Sequence, residues 1–454
     1  MIIELQNFGP IKSFKFDTDK DIHAIFGKNN IGKSYAISAV YLILKNLREQ
    51  VDLMEKQKQD LIGPAVGPVE LVDEQGGIYK YKNGTQGESS YFERTFIANL
   101  NKSFANTFDI SILKNIYLLN SRPTIKIYID DFRIELLLHK NPLNDQTISI
   151  STIKFGSYIT IDKTKKPYQV NLFNKENILL EQMNSILSDY PMLDIFTLRL
   201  QYFKNIFKKE LGNIYYLPAS RSGLYNTLNS FGAIFAEISR NRHLLTSKFE
   251  IPNLTEPISD YFLNLNNVEN TIITYSYKEY EQIEKDILKG SIIFDNETKK
   301  YFYLPANSEM RLELSSTSSM ISEIAPIIAH LKYIIPLESE TPSILFIEEP
   351  EAHLHPEVQI LLLEYFVKLS KGNLKIVMTS HSNYIFNKLS NLLIAKEISP
   401  DRLSVSLMKM TPEGSVVEEG DMQMDEYGIE DNNFVDVAEQ LYEERMQLLE
   451  NINS

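Results

Sequence analysis

The chain has 454 residues, enough for two or three structural units, and its apolar, charged, glycine and proline contents are those of an ordinary globular protein. No apolar run approaches the roughly 20 residues that cross a bilayer, and residues 1–10 lack the profile of an export signal, so we expect a cytoplasmic protein without membrane contact. Cysteine is absent, which excludes disulfides and thiol chemistry. The net charge of −14 argues against a surface that binds nucleic acid over its whole extent.

The N-terminal segment predicts three short strands followed by a loop and a helix. Apolar residues alternate in part at 2–8 and 11–16, with a Gly-Pro turn between them, and form a continuous run at 22–26. Residues 35–47 carry apolar residues at helical spacing. The glycine-bearing loop before this helix therefore lies at a helix N-terminus, where backbone N–H groups bind anions.

The middle of the chain predicts an insertion of mixed elements. A charged helical stretch at 49–61 precedes β-rich runs at 124–129 and 148–161, and helical spacing dominates 174–209. We therefore expect residues 51–210 to form a large α+β or helical insertion into the domain that the flanking segments build.

The segment after this insertion predicts a strand at 213–217, a mainly helical region at 224–288, antiparallel strands at 291–313 and a helix at 322–334. A helix at 434–449 closes the acidic tail.

Between these elements, strands and helices alternate in the order of a parallel α/β sheet. Strands at 343–347, 375–378 and 403–408 are separated by helices at 356–369 and 383–390. Ligands of such sheets bind at the carboxyl ends of the strands.

The loop after the third strand matches the phosphate-loop pattern G-x-x-x-x-G-K-[ST] at every fixed position. Its glycines let backbone N–H groups face phosphates, its lysine supplies a charge to the β and γ oxygens of ATP, and its serine can bind Mg²⁺. The alternative is a chance match in a turn. We predict nucleotide binding by Gly27, Lys28, Asn29, Asn30, Ile31, Gly32, Lys33, Ser34 and the adjacent Tyr35.

The strand at 343–347 ends in two carboxylates, which resembles the second half of an ATP site. We predict that Glu348 binds Mg²⁺ directly or through water, and that Glu349 orients and deprotonates the water that attacks the γ-phosphate. Neighbouring residues of a strand point to opposite sides, so the two carboxylates can serve different partners. A solvated acidic turn is the alternative.

The strand at 375–378 ends in Thr379-Ser380-His381-Ser382, again at the carboxyl end of a predicted parallel strand. A lone histidine there would ordinarily be structural. Beside the other two motifs, His381 is predicted to sense or polarise the γ-phosphate.

Together these motifs resemble the ABC-type AAA family ATPases of the RecF, SMC and OLD group, which includes ATPase subunits of the anti-phage systems Septu, PARIS and Gabija. Segments 3–11, 348–356 and 379–382 resemble the first strands, the acidic motif and the switch histidine of that group. The resemblance covers about 1–50 and 210–440. It implies a P-loop ATPase head in which helices flank a mixed sheet, with ATP and Mg²⁺ as cofactors.

The resemblance also implies a head-to-tail dimer in which a serine-rich signature of one subunit closes over ATP in the other. The matching segment is 314–320, where Ser318 or Ser319 would donate to the γ-phosphate. The glycine expected after the serines is absent, with Met320 in its place, so closure or turnover is expected to be weak. A second departure is Glu348, where many ABC ATPases have aspartate.

Three further residues leave alternatives open. Arg221, in a segment that resembles a P-A-x-R element of the OLD-like ATPases, would reach a phosphate, bridge two subunits or be an ordinary surface arginine. His353 and His355 have the spacing of metal ligands, although shaping the loop before the next helix is the expected role.

Two functions follow from the resemblance. The first is a homodimer, or an oligomer of dimers, that closes on ATP and holds or releases a co-encoded effector nuclease, with only indirect contact to nucleic acid. The second is a stand-alone DNA-repair or DNA-end-sensing ATPase, which would need a basic face. A transporter subunit fits poorly, and this chain is not expected to carry a nuclease.

We predict the following division of the chain into structural parts. The ATPase head begins with residues 1–50, is interrupted by the insertion at 51–210 and continues over 211–440, and residues 441–454 form the end helix.

Overall fold

The computed structural model describes residues 1–56, 69–75, 78–83, 91–108, 122–129, 132–137, 149–155, 158–162, 168–173, 179–185, 205–228, 254–268, 279–336, 341–417, 422–425, 427–431 and 442–449. Among the helices of these segments, none combines the length and apolar character needed to cross a bilayer.

The strands of the described segments form four sheets. In chain order they are β1 Ile2–Phe8, β2 Ile11–Asp17, β3 Ile22–Phe26, β4 Val69–Gln75, β5 Ile78–Asn83, β6 Thr124–Ile129, β7 Phe132–Leu137, β8 Ser149–Phe155, β9 Tyr158–Asp162, β10 Tyr168–Phe173, β11 Leu179–Ser185, β12 Ile214–Leu217, β13 Gly290–Asp295, β14 Lys300–Pro305, β15 Leu312–Glu313, β16 Ser343–Glu348, β17 Leu374–Ser380, β18 Leu403–Thr411, β19 Gly414–Val417, β20 Met422–Asp425 and β21 Gly428–Asp431.

The helices are α1 Lys33–Lys56, α2 Tyr91–Thr107, α3 Glu256–Asn266, α4 Glu279–Ile283, α5 Ser319–Ala329, α6 Pro356–Ser370 and α7 Asn383–Ile394. Two of them continue into π-helical turns, α4 at Glu284–Leu288 and α5 at His330–Ile334, and short 3-10 turns occur at Leu314–Ser316 and Pro400–Arg402. Residues 205–210, 221–228 and 442–449 are also helical. The last of these agrees with the predicted end helix, whose first residues lie outside the described segments.

The largest sheet has eleven strands in the order β12-β16-β17-β3-β18-β19-β2-β1-β6-β7-β8. Its first five strands are parallel, as the strand–helix alternation predicts, and the pairs from β2 to β8 are antiparallel. In the parallel half, Glu348 pairs with Thr379 and Ser380 pairs with Phe26. The ends of β16, β17 and β3 therefore lie side by side. The predicted mixed sheet flanked by helices is confirmed.

The predicted insertion divides between two sheets in the described residues. Strands β6 to β8 extend the main sheet beyond β1, whereas β4, β5 and β9 to β11 form a separate five-stranded antiparallel sheet. The helix predicted over 174–209 is wrong at Leu179–Ser185, because this segment pairs with Tyr168–Phe173 as a strand. The domain boundaries themselves stay a prediction.

Alternate residues of the central strands enter two apolar clusters on opposite faces of the sheet. In β16, Ile344 and Phe346 belong to the cluster with α1, while Leu345 and Ile347 belong to the cluster with α5, α6 and α7. Side chains of a strand alternate between its faces, so the continuous apolar run of β16 is that of a strand covered on both sides. This double packing fixes the strand end that carries Glu348.

Replacing Phe346 with alanine tests this packing. Phe346 is fully buried and its ring lies 5.7 Å from that of Tyr41 and 6.2 Å from that of Tyr216. We expect the free energy of unfolding, measured by urea denaturation, to fall by about 3–5 kcal/mol because the substitution leaves a cavity. The matched control Leu263→Ala, at a side chain that is 55% exposed, should change it by about 0.5 kcal/mol or less. A loss below about 1 kcal/mol for Phe346→Ala would contradict this view of the core.

Candidate nucleotide site

The phosphate loop connects β3 to the first turn of α1, as the motif predicts. Gly27 and Gly32 have φ angles of +144° and +90°, which disfavour side chains. A Cβ atom on Gly27 would also lie 2.7 Å from the carbonyl oxygen of Met408. The loop is held from β19 as well, because the Ser415 hydroxyl donates to the Ile31 carbonyl. Glycine is therefore required at both fixed positions.

Lys33 is the cation at the centre of the loop. Its Nζ donates to the carbonyl oxygens of Gly27 and Lys28, each at 2.9 Å, and lies 2.9 Å from Nε2 of His381. Burial lowers the pKa of Lys33 to about 8, while the charges of Glu349 and Glu351 oppose that shift. The site therefore holds a partly desolvated ammonium group, which is stabilised by an incoming anion.

Glu349 and His381 meet beside this lysine. Nε2 of His381 lies 3.3 Å from Oε1 of Glu349, and the Glu349 backbone N–H donates to the carbonyl oxygen of Thr379 at 3.1 Å. Burial and then the charge of Lys33 lower the pKa of His381, and Glu349 and Glu351 raise it in part. A neutral His381 ring can accept a hydrogen bond from Lys33, so the three predicted catalytic side chains form one contact group.

Glu351 is a functional candidate that sequence reasoning missed. Its Oε1 accepts hydrogen bonds from the His381 backbone N–H and the Ser380 hydroxyl, both at 2.7 Å. This carboxylate thereby fixes the turn that presents the histidine ring. The only available signal was its position in the acidic motif, two residues after Glu349, which did not indicate a partner in β17.

Glu348 has different partners from its neighbour. Its Oε1 accepts a hydrogen bond from the Tyr216 hydroxyl, which also lies 2.9 Å from Oγ of Ser38 in α1. Burial and then the charge of Glu348 raise the pKa of Tyr216 well above its ordinary value, so the phenol stays a donor. Tyr216 thus links the acidic strand end to the turn of α1 that follows Ser34, and it too was missed by sequence reasoning.

These residues surround an open cavity of about 750 Å³. Its described lining contains seven of the nine residues predicted at 27–35 and all three predicted catalytic residues, Lys33, Glu349 and His381, but neither Glu348 nor Ser318 and Ser319. The lining residues are Pro10, Asn29, Asn30, Ile31, Gly32, Lys33, Ser34, Tyr35, Glu349 and His381. Gly27 and Lys28 are not part of this lining, but their carbonyl oxygens accept hydrogen bonds from Lys33.

The oxygen donors near the cavity fit Mg²⁺. The Ser34 hydroxyl is exposed at the cavity, and Glu348 is joined to the next turn of the same helix through Tyr216. Within the described segments, no cluster of three or more acidic or histidine side chains could hold a metal alone. Mg²⁺ takes one or two protein ligands and completes its shell with phosphate oxygens and water, so Ser34 and Glu348 would be sufficient to hold it.

The serine-rich segment 314–320 ends in the first two residues of α5 and lies outside the cavity lining. Ser318 is the N-cap of this helix, and its Oγ accepts from the Ile321 backbone N–H at 3.4 Å. Ser318 and Ser319 are both exposed, whereas Met320 is half-buried against the apolar cluster. The two serines are therefore accessible to a second molecule and do not line the cavity of their own chain.

Arg221 corrects an expectation. It is fully buried and does not line the cavity, so the alternative of an ordinary surface arginine is wrong. Its guanidinium donates to the carbonyl oxygens of Glu348 and Glu349. His353 and His355 are exposed, and the described residues around them form no metal cluster.

A loop that binds phosphate at a helix N-terminus, opposite an acidic strand end, defines a P-loop nucleotide-binding protein. Residues 1–386 match the family model described as an AAA ATPase domain, and the chain belongs to that family. The resemblance predicted from the motifs is thereby confirmed.

One curated relative is the endonuclease GajA of Bacillus cereus (strain HuB5-5), which is 21% identical over 400 residues. The alignment covers 80% of this chain but only 52% of the relative, so the chain spans about half of that protein. Among solved structures, the chain is similar to the Smc head domain from Pyrococcus furiosus bound to the C-terminal domain of ScpA, with 13% identity and a TM-score of 0.36; the match covers 100% of this chain and 99% of that one. It is also similar to the SMC head domain from Thermotoga maritima, with 10% identity and a TM-score of 0.31; that match covers 92% of this chain and 98% of the other.

The pKa of Lys33 predicts a pH dependence of nucleotide binding. Because this pKa is about 8, the ammonium charge is mostly present at pH 7 and is lost as the pH rises through 8. A lysine with that pKa is about one tenth charged at pH 9, so the affinity for a fluorescent ATP analogue should be about tenfold weaker than at pH 7. The groups that face it are His381, Glu349 and Glu351.

The control is Lys33→Ala, whose residual binding should be weak and independent of pH over this range. A parent affinity that stays constant from pH 7 to pH 9 would contradict the assignment of Lys33 as the phosphate-binding cation.

Proposed function

We propose that the chain binds ATP with Mg²⁺ in this cavity and hydrolyses it. The observation that carries the proposal is the convergence of Lys33, Glu349 and His381 on one contact group at the mouth of a phosphate loop. These side chains follow three different strands of the parallel sheet, since Lys33 comes after β3, Glu349 after β16 and His381 after β17. Such an arrangement provides a charge for the phosphates, a base for water and a polar group for the γ-phosphate.

The chain's own groups divide the work. Backbone N–H groups of the loop and the Lys33 ammonium hold the phosphates, and Glu349 takes a proton from the attacking water. His381 orients toward the γ-phosphate from the turn that Glu351 fixes. Ser34 and Glu348 would hold Mg²⁺, which supplies neutralisation of charge on the β and γ oxygens.

We further propose that ATP closes two copies of the chain head to tail, with Ser318 and Ser319 of one copy against the nucleotide of the other. Their exposure and their place at the N-terminus of α5 support this role. Closure would gate or scaffold an effector in the cytoplasm. The similarity to part of an endonuclease supports a nuclease as that effector, in anti-phage defence.

The first test of this proposal is Glu349→Gln. The variant should bind ATP but turn it over about 10²–10⁴-fold more slowly, because the amide cannot take a proton from water. Light scattering with ATP and Mg²⁺ should then show a dimer that persists, while the parent returns to monomer as ATP is consumed.

The control is Lys33→Ala, which should bind ATP too weakly to dimerise. Turnover by Glu349→Gln at the parent rate would refute Glu349 as the base. A mass that ATP does not change, with turnover that rises only when DNA is added, would instead favour a DNA-sensing ATPase.

A second test is Ser319→Leu, which adds bulk at the proposed contact without removing the Ser318 cap. We expect the dissociation constant of the ATP-bound dimer to rise by about tenfold, because the leucine side chain packs poorly at that contact. Each monomer should keep its affinity for ATP. Ser399→Leu places the same change at another exposed serine and should leave dimerisation as in the parent. Equal dimerisation of Ser319→Leu and parent would remove the signature assignment.

A further inference from the structure

The most enclosed charged group of the described chain is the Arg221 guanidinium, and the proposed chemistry does not use it directly. It is 0% exposed and is the largest of the fully buried side chains. Nη1 donates to the carbonyl oxygens of Glu348 at 2.6 Å and Pro218 at 3.3 Å, and Nη2 donates to that of Glu349 at 3.2 Å. One side chain thus holds the backbone of both residues that carry the acidic motif.

The same guanidinium contacts α5. Nε donates to the carbonyl oxygen of Glu323 at 3.3 Å, and Nη2 lies 3.4 Å from Oε2 of the Glu323 carboxylate. Glu323 is 1% exposed, and its Oε1 accepts from the Ser222 hydroxyl at 2.6 Å. Tyr261 in turn donates to the Arg221 carbonyl at 3.1 Å. The ion pair is therefore enclosed by hydrogen bonds on both sides.

Glu323 lies in the helix that begins at the serine-rich segment. It is five residues after the N-cap Ser318, a distance of about 7.5 Å along the helix axis. A helix transmits a shift of its first turn along its length as a rigid element. A displacement at Ser318 therefore reaches Arg221, and through it the carbonyl groups of Glu348 and Glu349.

The strand end that Arg221 holds has a conformation that requires support. Glu349 has a φ angle of +43°, in the left-handed region that is costly for residues with a side chain. Its backbone is fixed from β17 by Thr379 and from the other side by Arg221. A change at Arg221 would therefore alter the direction of the Glu349 carboxylate.

We propose that the Arg221–Glu323 pair couples the two ATP sites of the closed dimer. This inference rests on the proposed function, in which Ser318 and Ser319 contact nucleotide bound by the second copy. Occupancy of that site then sets the position of α5, and Arg221 acts as a positioning residue for Glu349 of its own chain. Hydrolysis at one site thus depends on ATP at the other.

Glu323→Gln tests the coupling, because it keeps the shape and the acceptor for Ser222 but removes the charge that faces Arg221. Binding of a non-hydrolysable ATP analogue should stay within about twofold of the parent. The kcat should fall by about tenfold or more, because a small misplacement of a catalytic group is costly. The Hill coefficient for ATP, above one in the parent, should fall to one.

Two further variants make the result specific. Arg221→Lys keeps a positive charge beside Glu323 but lacks the planar fork that holds the carbonyl groups of both Glu348 and Glu349. It should therefore also leave ATP binding nearly unchanged while kcat falls. Glu284→Gln removes another buried carboxylate, which pairs with Lys332 at 3.1 Å without contacting the acidic motif. It should leave kcat and the Hill coefficient as in the parent.

The outcomes separate this inference from the proposed function. If the parent hydrolyses ATP and dimerises but has a Hill coefficient of one, the coupling alone is overturned. The same holds if Glu323→Gln keeps the cooperativity of the parent. Loss of binding and kcat together in both Glu323→Gln and Arg221→Lys also overturns it, because the pair is then purely structural. A parent without turnover, equal to Lys33→Ala, refutes the proposed function itself.

Discussion

The parallel register of β16, β17 and β3 is the constraint on which the site depends. Lys33 and His381 are 348 positions apart in the chain, yet Nζ of one lies 2.9 Å from Nε2 of the other. This is possible because both strands that precede them run in the same direction and end at the same edge of the sheet. Packing on both faces of β16 and β17 then keeps the register, since a shift by one residue would exchange the two faces.

Desolvation of Lys33 favours an anion beside its ammonium group. Lys33 is 5% exposed, and burial lowers its pKa although two carboxylates oppose that shift. A desolvated ammonium group regains favourable interaction when a triphosphate approaches, and the phosphate oxygens can replace the loop carbonyls as its acceptors. The same step would place negative charge beside Glu349, so a bound cation is needed to make the combination stable.

The sequence predicted the parts of the site that are local and missed those that join distant segments. The phosphate loop, β16 and β17 are recognisable because each motif is continuous and lies between a strand and a helix. Tyr216 contacts Glu348 across 132 positions, and Arg221 contacts Glu323 across 102, so no local pattern indicated either pair. At Leu179–Ser185, pairing with a neighbouring strand overrides a helical spacing of apolar residues. The buried position of Arg221 was likewise unpredictable from a polar residue in a turn-like segment.

The absent signature glycine would change the proposed closure in a specific way. In ABC-type heads a glycine lets the backbone approach phosphate, whereas here Met320 turns its side chain into the apolar cluster. The first N–H groups of α5 still lack helical acceptors, and one of them, at Ile321, is taken by the Ser318 hydroxyl. Attraction for a γ-phosphate would then come from the remaining N–H groups and the helix dipole, which act over the first turn only. Closure would thus be weaker than with a glycine, and the ion pair of Arg221 and Glu323 would need to respond to a smaller force.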